Sequence, residues 1–302
     1  MKWSIYNRSL VRRGEILLGF DVINNWDTEL KEMNKDKVGE PFHYPNTFLF
    51  LLGYAKAYFH LPYRQTEGIA HGHAKWKVPS IPDYTTINRR INRLDIKIKD
   101  TDSKNKEFMD EYIVIAIDST GIKVTNRGQW MKEKWNVRTK GYLKIHVAVD
   151  VKTKKILSMK VTDEHVHDSK ALPGLIENII KSDSMTTTTT IDKLFADGAY
   201  EGNEIFRHLG DNGILPCIKV RKNAKVRWKK GTFFRNLSVL AQRNDLQKWS
   251  DSVSYDGQRW IAETVFSCIK RTFGEYVYSV KFKNMVKEIM LKASLYNKMI
   301  SI

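Results

Sequence analysis

The central part of the chain alternates between apolar and polar residues in a way that predicts a sheet. Residues 112–117 are six consecutive apolar positions, four of them β-branched, and they run directly into Asp118. Such a run predicts a strand that is buried on both faces. Residues 142–149 alternate, and residues 155–161 follow after a short polar turn. The pattern therefore predicts three strands joined as an antiparallel meander.

The pattern changes to a helical period after these strands. Residues 168–180 carry apolar side chains at helical spacing, and a strand that begins at residue 191 then ends in Asp197. A short helix at residues 203–209 and a fifth strand at residues 214–220 complete the series. The order βββαβαβ predicts a ribonuclease-H-like α/β fold, a mixed five-stranded sheet with flanking helices. In that fold the first and fourth strands are neighbours.

Residues 1–105 read as mainly helical and predict a separate N-terminal region ahead of a domain at 106–302. Ile87, Ile91 and Leu94 fall at i, i+4 and i+7 and form one apolar stripe. Arginine and asparagine, the side chains that read guanine and adenine edges, occupy the other faces; they are Asn88, Arg89, Asn92 and Arg93. The segment is either a helix presented to DNA or a solvated amphipathic helix, and both interpretations stay open.

The net charge of the chain indicates the class of its binding partner. The chain has 51 Lys and Arg against 34 Asp and Glu, a formal charge of +17, which predicts a polyanionic partner, most often nucleic acid. No apolar stretch reaches the length of a membrane helix, and the N-terminus has no apolar signal region. Cys217 and Cys268 each lie in an apolar pattern, so we expect reduced core thiols in a cytoplasmic protein without a membrane partner.

The positive charge is concentrated in one segment, residues 219–252, which we call the basic insertion. Between residues 219 and 248 it has ten cations and one acid, Asp245, interleaved with Trp228, Phe233 and Phe234. Cations with aromatic rings suit phosphate contact and base stacking. Its candidate DNA contacts are Arg221, Lys222, Lys229 and Lys230.

Three carboxylates are candidates for one site. Asp118 and Asp197 each follow an apolar strand at what would be the same edge of the sheet. In residues 255–276, a predicted helix, Glu263 shares a face with Arg259 and Lys270, opposite Ile261, Val265, Cys268 and Ile269. The alternatives are an Asp that caps a turn and an exposed, ion-paired helix face.

Three carboxylates suit the chemistry of phosphodiesters. In-line displacement at phosphorus is assisted by two divalent cations about 4 Å apart. Hard cations such as Mg²⁺ prefer oxygen ligands. The sequence therefore predicts two Mg²⁺ or Mn²⁺ ions on Asp118, Asp197 and Glu263. No Ser-His-Asp set, no Cys-His set and no phosphate-binding loop of the ATPase type offers a rival mechanism.

The residues around the three acids resemble those of a known family. IAIDST at Asp118, FADGAY at Asp197 and RWIAETVFSCIKRTFGE at Glu263 resemble the DDE transposases of bacterial and archaeal insertion sequences, in the insertion sequence four and five group. The family motif around the Glu is Tyr, two residues, Arg, three residues, Glu, six residues, Lys. Arg259, Glu263 and Lys270 match this spacing, and Asp256 stands at the Tyr position beside Tyr255. The stretch HVHDSKALPGLI also resembles the family.

The resemblance implies a metal-dependent nick at each transposon end, followed by attack of the freed 3′-hydroxyl on target DNA. It also implies a homodimer or larger synaptic complex on double-stranded DNA, in the cytoplasm of a prokaryote and at the nucleoid when bound. Residues 1–105 would then bind the transposon end through Arg89 and Arg93, and Arg259 and Lys270 would hold DNA at the site. The alternatives are a nuclease of the same fold that does not join strands, and an inactive domesticated DNA-binding protein.

Overall fold

A computed structural model describes residues 3–19, 24–98, 112–125, 141–183 and 190–302. The chain divides into two compact units, the first comprising residues 1–97, 272–274 and 278–302, and the second comprising residues 98–271 and 275–277. The boundary expected near residue 105 lies outside the described residues. The division differs from the expected one because the C-terminal segment belongs to the first unit rather than to the sheet domain.

The α-helices, in chain order, are α1 (Trp3–Leu18), α2 (Trp26–Asn34), α3 (Asn46–Tyr58), α4 (Tyr63–Ala74), α5 (Tyr84–Ile91), α6 (Asp168–Asp183), α7 (Asn203–Asp211), α8 (Phe233–Asn244), α9 (Leu246–Val253), α10 (Tyr255–Arg259), α11 (Ile261–Phe273) and α12 (Phe282–Ile300). The strands are β1 (Tyr112–Val124), β2 (Tyr142–Asp150), β3 (Ile156–Asp163), β4 (Thr190–Ala196), β5 (Leu215–Ile218) and β6 (Tyr276–Val277). A 3₁₀ helix spans Gly198–Tyr200.

The first unit is built around α3, which is apolar on nearly every side and buried along most of its length. The last helix, α12, packs directly on it at Gly53. A Cβ at that position would lie 3.0 Å from Cδ2 of Leu291, so a larger residue there would have to displace this methyl group by a few tenths of an ångström. The Tyr54 hydroxyl is 2.9 Å from Oγ of Ser294 and satisfies both groups inside the contact. These contacts explain why the C-terminal helix belongs with the N-terminal helices.

The second unit contains the sheet, with strand order β3-β2-β1-β4-β5. Strands β1, β2 and β3 pair antiparallel, and β4 pairs parallel with both β1 and β5. With the element order βββαβαβ, this is the ribonuclease-H-like arrangement, as predicted. The sheet also has a sixth strand, β6, which runs parallel to β1 at Lys123 and Val124. A two-residue strand is too short to leave a periodic signal in the sequence.

The main core of the second unit lies on one face of this sheet. Side chains of α6 and α7, among them Leu175 and Phe206, pack there with Ile115 and Ile117 of β1. Successive side chains along a strand point to opposite faces. Asp118 therefore points to the face away from this core.

No helix in the parts of the chain that the structure describes is both long enough and apolar enough to cross a bilayer.

Candidate active site

The sequence pattern predicts Asp118 at the end of β1, but the structure places it in the middle of that strand. The strand continues to Val124 because residues 119–123 go on pairing with β2. The parallel pairing with β4, in contrast, stops at Ala116 and Phe195. Asp118 thus lies just beyond the end of the parallel ladder, partly exposed, with Oδ1 accepting a 2.8 Å hydrogen bond from the Ser119 amide.

Asp197 follows the last residue of β4, where the pattern placed it. It caps the 3₁₀ helix, since Oδ1 accepts a 2.8 Å hydrogen bond from the Ala199 amide. The next residue, Gly198, passes close to another segment of backbone. A Cβ there would lie 3.2 Å from the carbonyl oxygen of Lys219, so a side chain would force that segment away. Because β4 is the parallel neighbour of β1, Asp197 is brought beside Asp118.

Glu263 lies in the first turn of α11, on its exposed face. The single helix predicted for residues 255–276 is wrong in one respect, because the chain forms α10 and α11 with Trp260 between them. The Arg259 Nη1 atom is nevertheless 3.0 Å from Glu263 Oε1, an i, i+4 ion pair across the junction. The Glu263 side chain is 50% exposed and that of Arg259 is 23% exposed. Glu263 is therefore accessible to solvent but already paired with a cation.

The buried side of α11 differs from the predicted one. Ala262, Val265 and Phe273 are fully buried, whereas Cys268, predicted to be a core thiol, is exposed. Cys217 is buried, as expected. Burial raises the pKa of the Cys217 thiol to about 12, so that thiol stays protonated and inert at neutral pH.

Tyr255 fixes the position of α10 relative to Asp197. Its hydroxyl is buried and donates a 2.9 Å hydrogen bond to the carbonyl of Ala196, the residue before Asp197. Its ring packs near Phe195 and Trp249, with centroids 6.3 and 5.1 Å away. The tyrosine next to the motif position is thus a structural anchor between β4 and the helices that lead to Glu263. A tyrosine with an apolar ring and a polar end suits such a buried contact.

Two of the three acids act electrostatically on the third, Asp118. The pKa of Asp118 is raised to about 6, chiefly by burial, with further contributions from the negative charges of Asp197 and Glu263. The Ser119 amide and the Arg259 guanidinium act in the opposite direction and favour the ionised form. Asp197 follows the strand that pairs with β1, and Glu263 and Asp118 line one cleft, so both acids lie near Asp118.

An open cleft of about 830 Å³ lies in front of Asp118 and Glu263. Lys270, predicted to hold DNA, lines this cleft, and so does Arg271, which the sequence pattern did not single out. A further acid of the cleft, Glu275, is paired with Lys123 at 3.4 Å. The cleft thus combines carboxylates with cations, a combination suited to a metal ion and a phosphate group.

The donor set suits a hard cation, although the acids are not gathered around a single point. All three are carboxylates, the ligand type that Mg²⁺ prefers. One carboxylate oxygen of each acid already has a partner in the protein. Asp118 and Asp197 accept hydrogen bonds from backbone amides, and Glu263 pairs with Arg259. Within the described residues, no group of three His, Cys, Asp or Glu side chains is placed to hold a metal ion. Glu263, half exposed, would have to turn from Arg259 to complete such a group.

A second polar cluster lies on the opposite side of the sheet, at the start of α6. His146 is fully buried on β2, with Nε2 3.0 Å from Oγ1 of Thr162 and Nδ1 3.4 Å from Oδ1 of Asp168. Lys144 Nζ is 2.7 Å from the same Asp168 oxygen. Burial lowers the pKa of His146 to about 4, against the attraction of Asp168. The HVHDSKALPGLI stretch thus joins α6 to the sheet through Asp168.

The candidate DNA contacts of the basic insertion are exposed to solvent; they are Arg221, Lys222, Lys229 and Lys230. Trp228 is 93% exposed and Phe233 is 66% exposed. One cation of this segment, Arg235, is instead buried and pairs with Glu201. The density of positive charge gave no sign that one member of the run lies inside the protein.

The candidate DNA contacts of the first unit lie on and just after α5. Asp83 caps this helix by accepting hydrogen bonds from the amides of Thr85 and Thr86. Arg89 and Arg93 are exposed, and the side chain of Arg89 also bonds back to Thr85. Ile87, Ile91 and Leu94 are buried, so the predicted apolar stripe is the packed side of this segment.

In sequence, the chain matches two family models of transposases. A family model described as Transposase DDE domain matches residues 110–298, and a second model of the same description matches residues 11–127. Among solved structures, a piggyBac transposase synaptic complex with hairpin DNA aligns at 9% identity, covering 96% of this chain and 74% of that chain, with a TM-score of 0.40. A simian T-cell lymphotropic virus intasome aligns at 12% identity, covering 72% and 67%, with a TM-score of 0.26.

Proposed function

The chain belongs to the transposase DDE domain family, and we propose that it cleaves the ends of an insertion sequence and joins the freed 3′-hydroxyls to target DNA. The observation that carries the proposal is the environment of Asp118. Its pKa is raised to about 6 by burial and by the charges of Asp197 and Glu263. A carboxylate that is mostly buried beside two other acids, at an open cleft, is suited to binding a cation.

In this proposal Asp118, Asp197 and Glu263 provide the oxygen ligands for two divalent cations, Mg²⁺ or Mn²⁺. Such ions, when bound, neutralise charge on the attacking and leaving oxygens of a phosphodiester. Lys270 and Arg271 line the same cleft and hold phosphate groups of the bound strand. Arg259 pairs with the Glu263 carboxylate and orients it.

The first unit recognises the end of the element. The exposed Arg89 and Arg93 contact DNA, while the buried stripe of the same segment keeps it packed on the unit. Paired ends are brought together by a homodimer or a larger synaptic complex. The exposed cations of the basic insertion bind the phosphate backbone of the same DNA.

The test uses the purified protein and duplex DNA that carries the repeats flanking its gene, with Mg²⁺. Nicks at the repeat ends are expected, and Asp118→Ala, Asp197→Ala and Glu263→Ala should each abolish them while leaving DNA binding largely intact. Glu275→Ala is the matched control, because Glu275 lines the same cleft but pairs with Lys123. Cleavage at near wild-type rate in one of the three variants would remove that residue from the ligand set.

Strand joining separates this function from its alternatives. A pre-cut end with a free 3′-hydroxyl should be joined to a target plasmid in the presence of Mg²⁺. Nicking without joining would indicate a nuclease of the same fold. Specific binding to the repeats with neither reaction would indicate an inactive DNA-binding protein.

A further inference from the structure

The first part of the basic insertion, residues 219–232, has no helix or strand, yet its backbone is firmly held. We call this segment the basic strap. Side chains of α8, and that of Thr232 just before it, form the backbone hydrogen bonds that a neighbouring strand would otherwise supply. Gln242 accepts from the Val220 amide and donates to the Ile218 carbonyl, both at 2.9 Å. Asn236 accepts from the Arg227 amide at 3.0 Å and donates to the Arg227 carbonyl at 2.7 Å.

The tightest attachment of the basic strap is a buried ion pair between Glu201 and Arg235. Their side chains are 6% and 5% exposed. Both ends of this pair also reach the strap backbone. The second Glu201 oxygen accepts a 2.7 Å hydrogen bond from the Arg221 amide, and Arg235 Nη1 donates a 3.0 Å hydrogen bond to the Lys225 carbonyl. A buried pair satisfied in this way is rigid, and loss of either partner leaves an uncompensated charge.

Glu201 also belongs to the loop that carries Asp197. It directly follows the 3₁₀ helix that Asp197 caps, and its amide closes that turn onto the Gly198 carbonyl at 3.3 Å. The strap begins where a Cβ on Gly198 would meet the carbonyl of Lys219 at 3.2 Å. Asp197 and the strap are therefore connected through a short, hydrogen-bonded stretch of chain.

The strap presents its cations to an open cleft of about 1210 Å³ that is separate from the cleft of Asp118. Arg221, Lys225 and Arg227 line this cleft, and the Glu201–Arg235 pair lies among its lining residues. Exposed cations at fixed backbone positions bind phosphate with a defined geometry, whereas mobile ones provide attraction only. A phosphate bound on the strap would thus be held by cations whose backbone is attached to the loop of Asp197.

We propose that Glu201 is a positioning residue for the DNA reaction: through Arg235 and the Arg221 amide it sets where the strap holds a DNA phosphate relative to Asp197. This rests on the proposed function above. The alternative is an ion pair that serves stability alone. The two differ in what they predict for DNA that is already bound. A positioning role affects the rate of cleavage within the complex, whereas a purely structural role affects only the fraction of folded protein.

The experiment compares wild type, Glu201→Gln and Arg235→Lys. For each protein, the cleavage rate of bound repeat DNA is measured in a single turnover with Mg²⁺. We expect at least a tenfold slower cleavage of bound DNA in both variants. DNA affinity should change less than threefold, and the dependence of that affinity on salt concentration (its salt slope) should stay the same, because every exposed strap cation remains. Hydrogen exchange of the strap peptide should be faster in both variants in the absence of DNA, a measurement that does not depend on activity.

Two further variants make the result decisive. Val239→Ala opens a cavity under α8, where Val239 is fully buried, without touching a strap contact; it should lower thermal stability and leave the cleavage rate unchanged. Glu201→Asp keeps the charge with a shorter side chain, and should fold and cleave at an intermediate rate even if Glu201→Gln fails to fold. A folded Glu201→Gln or Arg235→Lys variant that cleaves bound DNA within twofold of wild type would overturn the proposal. Failure of the wild type to cleave would instead overturn the proposed function itself.

Discussion

Replacing Asp118 with Asn should stabilise the protein while abolishing its activity. Burial and two nearby acids raise the pKa of this carboxyl from 3.8 to about 6. The folded state therefore binds a proton between about pH 4 and pH 6 that the unfolded state has lost. Stability falls as the pH rises through this window, and above it the ionised carboxylate destabilises the folded state by a constant amount.

The magnitude follows from the two pKa values. Their difference is about 2.2, and each unit corresponds to about 1.4 kcal/mol, so the charged Asp118 costs at most about 3 kcal/mol of unfolding free energy at neutral pH. Asparagine has the same size and no charge, and its Oδ1 can still accept from the Ser119 amide. The variant should thus gain about 2 to 3 kcal/mol at pH 7.5 in metal-free buffer, and nothing at pH 3.5.

The assay is urea unfolding followed by tryptophan fluorescence at pH 3.5, 5 and 7.5 with a chelator present. Glu177→Gln is the matched control, because the Glu177 side chain is 52% exposed and its charge is already solvated; no gain is expected there. If Asp118 is a metal ligand, Mg²⁺ should stabilise wild type more than Asp118→Asn. Equal stability of the two proteins at pH 7.5, or a gain that persists at pH 3.5, would contradict a raised pKa of Asp118.

Three other substitutions test separate parts of the molecule. His146→Gln should reduce the loss of stability at acidic pH. The pKa of His146 is lowered to about 4, so wild type loses up to about 3 kcal/mol of unfolding free energy as the pH falls from 6.5 towards 4. Thermal melts from pH 7 to 4.5 measure this loss. Asp83→Ala removes the N-terminal cap of α5 and should cost about 1 kcal/mol, whereas Asp83→Asn should cost little. Lys270→Ala should slow cleavage strongly, leave the melting temperature nearly unchanged and lower the salt slope of DNA binding by about one.

The strands of the sheet were predictable because their periodicity is local. An apolar run of six residues identified β1, and alternation identified β2. The length of β1 was not predictable from this signal. Beyond Asp118 the strand carries Ser119, Thr120 and Gly121, residues typical of a turn, and it continues only because β2 pairs with them. Tertiary pairing decided the strand end where local propensity suggested a break.

Features that depend on a distant partner were not predictable. Arg235 stands in a run of cations and gives no local sign that Glu201, 34 residues earlier, pairs with it inside the protein. The position of α12 on α3 depends on Gly53 and Leu291, which are far apart in sequence. The exposure of Cys268 was not predicted for a similar reason. The apolar pattern of a helix defines its buried face only approximately when the element that packs on it is unknown.

The sequence points to the candidate acids more readily than to their electrostatic state. Asp118, Asp197 and Glu263 were candidates from the sequence pattern, and in the structure the charges of Asp197 and Glu263 act on Asp118. Carboxylates brought together in this way repel one another unless a cation is present. Here Arg259 partly meets that need, since it pairs with Glu263 and favours the ionised form of Asp118. Spacing of four residues made the pair foreseeable, but only the fold shows that one guanidinium acts on two acids from different elements.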